Sequence, residues 1–127
     1  MVVLYGVFLF DALLVSLMAM WVVKSIGKGS LERNPMIGIR TRATLASDEA
    51  WAEAHKASLP HMNAVVRIGN AGALLSLVSL LIRPGGSSLT FLHCVVAIAA
   101  CALQVIILVW GAVVGHRRAK EVVKQEN

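Results

Sequence analysis

The chain has little charge. Asp, Glu, Lys and Arg together make up 15% of its 127 residues, where soluble domains carry about 25%. Its hydrophobic share of 57% exceeds the about 45–50% usual for such domains. That deficit argues against a soluble globular domain and for a small integral membrane protein. Cysteine is scarce too. Cys94 and Cys101 share one apolar stretch, and two positions on the same helix cannot adopt disulfide geometry. No metal-ligand spacing accompanies them, so they read as small packing residues, and neither a metal nor a cofactor is expected. No Lys or Arg precedes the first apolar run, which is also too long for a signal peptide and therefore reads as a true span. Phosphate-binding loops and nucleophile constellations are missing, so an enzyme is not expected. Basic residues are interspersed with acids and lack an aromatic platform, which argues against nucleic-acid binding.

What the chain does have is three long apolar stretches. A spanning helix needs roughly 20 mostly apolar residues. Residues 1–23 (interrupted by Asp11), 64–82 and 88–115 each qualify. Helices satisfy their own backbone hydrogen bonds in lipid, so a helical reading is preferred over strands. The expectation is an all-α membrane protein, a single domain of residues 1–127. It has three transmembrane helices, a polar loop at 24–63 with a short amphipathic helix in it, and a basic tail at 116–127. The polar loop carries Lys24, Lys28, Arg33, Arg40, Arg42 and Lys56, and the tail carries Arg117, Arg118, Lys120 and Lys124. The connector between the second and third spans has only Arg83. By the positive-inside rule the loop and tail are cytoplasmic and the N-terminus is outside. Contact with anionic membrane lipids follows from the same charges.

Each polar group inside a span costs a few kcal/mol unless satisfied. Asp11, Asn70 and Gln104 fall at comparable depths and are expected to form one intramembrane polar cluster. It would act as a clamp on helix register or as a proton or ligand site. Gly69, Gly72 and Ser76 form a small-residue stripe suited to close helix packing, within the chain or against another copy. Pro84-Gly85-Gly86 makes a tight connector, so the second and third spans should be antiparallel neighbours.

The polar loop is specified in detail. Residues 31–58 read LERNPMIGIRTRATLASDEAWAEAHKAS. Pro35 biases Asn34 to an extended conformation, and Gly38 adds backbone freedom. Thr44 and Ser47 are candidate caps, followed by Asp48 and Glu49 where acids favour a helix start. A short helix over 48–58 puts Trp51, Ala54, His55 and Ser58 on one face. Trp51 suits the headgroup layer, and Pro60 is expected to break or kink the chain before the second span. Arg40 and Arg42, with Thr41 and Thr44, are suited to an anion or lipid phosphate. Alternatively Arg40 ties the loop to a helix end or to Asp48 or Glu49. His55 is expected to pair with a backbone carbonyl or a neighbouring acid.

In their order, Asn34, Gly38, Ile39, Arg40, Thr41, Thr44, Leu45, Ser47, Glu49, Trp51 and His55 resemble the signature of the SdpI family of small bacterial membrane proteins. This chain carries Arg42 where many members have proline, and it has fewer spans than the immunity protein for which the family is named. The resemblance implies no enzymatic activity. It implies an immunity or signalling role: the named member protects a producing cell from its own secreted toxin and holds a transcriptional repressor at the membrane. Asn34, Gly38, Arg40, Thr41, Trp51 and His55 are then the expected motif and partner-contact residues, with a membrane protein or a second copy as partner. Two other roles fit the same sequence: a small accessory subunit of a larger membrane complex, and a lipid or solute binder or transporter.

Overall fold

The structure is a computed structural model that describes residues 2–29, 32–33, 37–81 and 91–126. Asn34 and the Pro84-Gly85-Gly86 connector lie outside the described residues. Three helices follow in order: α1 (Val2–Gly27), α2 (Asp48–Leu81) and α3 (Phe91–Glu126). Each is long and apolar enough to cross a membrane, and no strand occurs among the described residues. The all-α, three-span expectation therefore holds.

The helices are longer than the spans. α2 has 34 residues and α3 has 36, or roughly 50 Å each at 1.5 Å per residue. A hydrocarbon core of about 30 Å takes only about 20 of those residues. The first turns of α2 carry Asp48, Glu49, Glu53 and Lys56, and the last turns of α3 carry Arg117, Arg118, Lys120 and Lys124. Both polar ends therefore project from the bilayer on the same side.

This corrects one expectation. The short amphipathic helix and the second span are not separate elements: α2 runs unbroken from Asp48 to Leu81 with Pro60 inside it. Proline removes one backbone donor and frees the carbonyl four residues back, here that of Lys56. Both Pro60 and Lys56 are exposed, so water can serve that carbonyl where the helix leaves the membrane. The break is thereby avoided.

α2 lies between its neighbours in register as well as in sequence. Ala54 packs at Gly115, His61 at Gly111, and Gly72 at Ala100, so α2 and α3 are antiparallel. α1 runs parallel to α3, with Phe8 at Cys101 and Ala12 and Ser16 at Gln104. The packing is carried by small side chains, as it must be where lipid removes the hydrophobic drive between helices. Gly69, Gly72 and Ser76 are all buried, and the stripe packs within the chain. A Cβ on Gly69 would collide with Ser16 Oγ and Gln104 Nε2 and lie 2.9 Å from the Ala12 carbonyl. At one end Tyr5, Cys94 and Ala97 form a core; at the other Ala50, Ala54, Ala119 and Val122 do. The outward faces remain apolar: Phe10 is 67% exposed, Leu74 62% and Ile106 64%. Such faces suit acyl chains, not water.

Candidate functional site

The polar loop folds onto the projecting ends of α2 and α3 as a braced unit. Ser47 caps α2, its hydroxyl accepting from the Ala50 N–H at 3.1 Å. That satisfies one of the orphan donors at the helix start. Upstream, two threonines lock each other. Thr41 N–H donates to Thr44 Oγ1 at 2.9 Å and Thr44 N–H donates to Thr41 Oγ1 at 3.2 Å. The Thr44 hydroxyl in turn donates to the Ile39 carbonyl at 2.7 Å. Thr44 is fully buried, and its N–H and hydroxyl are both used where they could not be left open.

His55 ties this loop to the helix. The Ile39 N–H donates to His55 Nε2 at 3.0 Å, and His55 Nδ1 lies 2.8 Å from the Trp51 carbonyl. Nε2 must therefore be the bare acceptor and Nδ1 the protonated donor, which fixes the neutral tautomer. Burial pushes the imidazole pKa below its ordinary value; the Trp51 carbonyl acts the other way. Both ring nitrogens are committed to backbone, so His55 forms no acid–base pair with Asp48, Glu49 or Glu53.

Trp51 is 2% exposed and packs inside the protein, not in the headgroup layer. Its ring sits against the His55 ring, centroids 4.2 Å apart and planes tilted by 42°. Gly38 covers the pair. Its φ of +115° suits only glycine, and a Cβ there would lie 2.5 Å from His55 Nε2 and 2.9 Å from Trp51 Cη2. Both constraints demand the same residue.

α3 closes the unit from the other side. Ile39 is buried against Gly115, where a Cβ would lie 2.7 Å from Ile39 Cδ1. His116 Nδ1 lies 2.8 Å from Thr41 Oγ1. Arg118 reaches Glu53 at 3.3 Å and Glu121 at 3.0 Å. Lys56 and then Arg118 hold the Glu53 carboxyl below its ordinary value, although exposed pairs of this kind contribute little to stability. Nothing in the sequence singles out His116. Gly111, Gly115 and Ala119, spaced by four, are a legible small-residue stripe on α3 that matches the one on α2.

The expected motif residues thus separate. Gly38, Thr41, Trp51 and His55 come together and brace the loop. Arg40 is exposed, as is Arg42. Arg33, not Arg40, makes the loop's tie to an acid and a helix end: it pairs with Asp48 at 3.2 Å and donates to the Leu45 carbonyl at 2.8 Å. Among the described residues Arg40 has no ion-pair partner.

The intramembrane cluster forms with different members. Gln104 is buried, and its Nε2 faces the Ala12 carbonyl (3.3 Å), Ser16 Oγ (3.1 Å) and the Val65 carbonyl (3.2 Å). Its Oε1 has no partner. Asn70 and Asp11 are exposed, and Gln104 bonds neither. The helical phase decides this: Gly69 turns inward at the level of Gln104, so its neighbour Asn70 turns outward. Asp11 instead approaches the Cys101 thiol.

Comparison with known proteins agrees with this motif. Residues 30–114 match the model of the SdpI/YfhL protein family. The chain belongs to the SdpI/YfhL family. It is a multi-pass membrane protein of the SdpI type. No curated protein and no solved structure matches it. The SdpI match starts just before the loop and ends at residue 114. Gly115, His116 and Arg118, which close the loop from α3, therefore lie just past it.

Proposed function

We propose that this SdpI-family protein is a non-enzymatic binding protein of the bacterial inner membrane. Its braced loop is the cytoplasmic surface through which it engages a toxin, a regulator or another membrane protein in immunity or signalling. The observation that carries this reading is the division within the motif. Four buried side chains, Ile39, Thr44, Trp51 and His55, hold the loop rigid while Arg40 and Arg42 are left outside. A rigid platform presenting cations loses little conformational entropy on binding. The basic loop and tail favour the cytoplasmic side for this surface.

The test is complementation. Cells lacking the gene are challenged with the secreted peptide against which it protects, and are supplied with the wild type or with Arg42→Glu. The variant should reach wild-type levels in the membrane yet fail to protect. Full protection by a stably inserted Arg42→Glu would sink the reading.

Asp11 favours a second reading, an accessory subunit. It sits in α1 roughly 14 Å from the helix start, on an exposed face where a carboxyl in lipid is costly and the Cys101 thiol it approaches is only a weak donor. Stoichiometric co-purification with a larger complex in mild detergent, lost in Asp11→Leu, would select that role.

A further inference from the structure

α1 and α3 touch each other less than either touches α2, and the gap between them is a groove. It has a volume of about 710 Å³. Its walls are Leu14, Met18 and Val22 of α1 and Leu108 and Ala112 of α3, and Met62 of α2 also lines it. Leu14 and Met18 are exposed, so the groove opens sideways to the bilayer. Its rim at the loop end is polar and holds Arg40 and Thr41. His61 also lines it, and His61 Nδ1 is buried with no hydrogen-bond partner.

We infer that this groove is a binding site for one anionic membrane phospholipid, an acyl chain lying between α1 and α3 and the phosphate held by Arg40. Three observations point to that chemistry. The groove is aliphatic where it faces the hydrocarbon, and an unfilled groove there would forfeit dispersion contacts along its whole lining. Among the described residues the one cation on its rim is Arg40, and it has no ion-pair partner there. Of the two acids expected to hold it, Asp48 is taken by Arg33 and Glu49 makes no ion pair with it, and a guanidinium is suited to bidentate contact with phosphate. Between chain and phosphate a phospholipid carries ester oxygens. His61 packs on Gly111, five residues below His116, or roughly 7.5 Å deeper by helix rise. That is the level at which a ligand's oxygens would meet an unpaired imidazole nitrogen.

The site does not rest on the partner reading, since it is built from the spans and needs no second protein. It also accounts for the position of Arg40 in the loop. Ile39 beside it is pinned by His55 and seated on Gly115, so Arg40 is delivered to the rim by a fixed backbone.

Native mass spectrometry of the purified full-length chain, in detergent micelles doped with phosphatidylglycerol or phosphatidylcholine, tests the inference. One bound lipid is expected, with about fivefold preference for phosphatidylglycerol, the selectivity one basic residue supplies near a membrane surface. Arg40→Gln, at an exposed position, should bind both lipids equally. Ala112→Phe should lower the binding of both by filling the groove. Free glycerol 3-phosphate should not compete, because it lacks the chain. The inference is overturned if the wild type shows no preference or Arg40→Gln keeps it. It is equally overturned if glycerol phosphate competes on its own, or if a second copy of the chain occupies the groove. Arg42→Glu should leave lipid binding unchanged, which separates this site from the protein-contact face.

Discussion

Gly69→Ala adds one carbon at the point where all three helices meet. The new Cβ would overlap Ser16 Oγ and Gln104 Nε2 and lie 2.9 Å from the Ala12 carbonyl. Overpacking of this kind costs about 1–3 kcal/mol. Moving Gln104 aside also disturbs its bonds to Ala12, Ser16 and Val65, each worth about 0.6 kcal/mol in a bilayer. Alanine's advantage over glycine in a helix, about 0.5–1 kcal/mol, offsets little, because a membrane-inserted α2 is helical even when its neighbours have separated. The net expectation is a loss of about 1–4 kcal/mol. Reversible unfolding in mixed micelles, followed by helix-contact distance labels between α1 and α3, measures it. The decisive comparison repeats Gly69→Ala in a Ser16→Ala, Gln104→Ala background. Two of the three colliding atoms are then gone, and the penalty should fall by at least half. Equal penalties in the two backgrounds would refute the three-way contact, since sites in direct contact must couple.

Three further outcomes follow from the loop. His55 is neutral when folded and its pKa is lowered by burial; its contribution is therefore full above the unfolded value of about 6.5 and is lost as pH falls through the folded value. The protection factor of the Ile39 amide, its exchange rate corrected for the intrinsic pH dependence, should fall on acidification in the wild type, and in His55→Ala be low already at neutral pH and much less pH-sensitive. Gly38→Ala meets both an unfavourable φ and the His55–Trp51 pair. It should cost at least about 1–3 kcal/mol, seen as proteolytic opening of the loop with the three spans intact. His116→Ala removes one bond to Thr41 while the Thr44 N–H still serves that hydroxyl. Loosening of about 0.5–1.5 kcal/mol is expected, read by exchange at Thr41 and Thr44.

Much of this molecule is legible in its sequence because the bilayer leaves few alternatives. Long apolar runs must be helices, and Gly69, Gly72 and Ser76 mark a contact face by spacing alone. The cap at Ser47 and the shared face of Trp51, Ala54, His55 and Ser58 follow from the helical period, but not that Trp51 turns into the protein and away from the headgroup layer. The misses share one cause: a property of the neighbours decided the outcome. Asp11, Asn70 and Gln104 match in depth, but depth does not fix the angle around a helix. Angle put Ser16 beside Gln104 and turned Asn70 away. Pro60 obeys its local rule by withdrawing a donor, but the break does not follow where water reaches the freed carbonyl.

The loop makes the same point about function. Within five residues of GIRT and its flank, Ile39 and Thr41 point into the brace while Arg40 and Arg42 point out. A list of motif residues cannot separate these two roles. The distinction matters because the two sets should respond oppositely to substitution. Changing the inward set should lower stability and, through it, every activity the protein has. Changing Arg40 or Arg42 should leave the melting transition in place and remove one interaction each, lipid for Arg40 and protein partner for Arg42. If Arg40→Gln lowered stability as much as His55→Ala, Arg40 would belong to the brace, and the motif would have no outward face to explain.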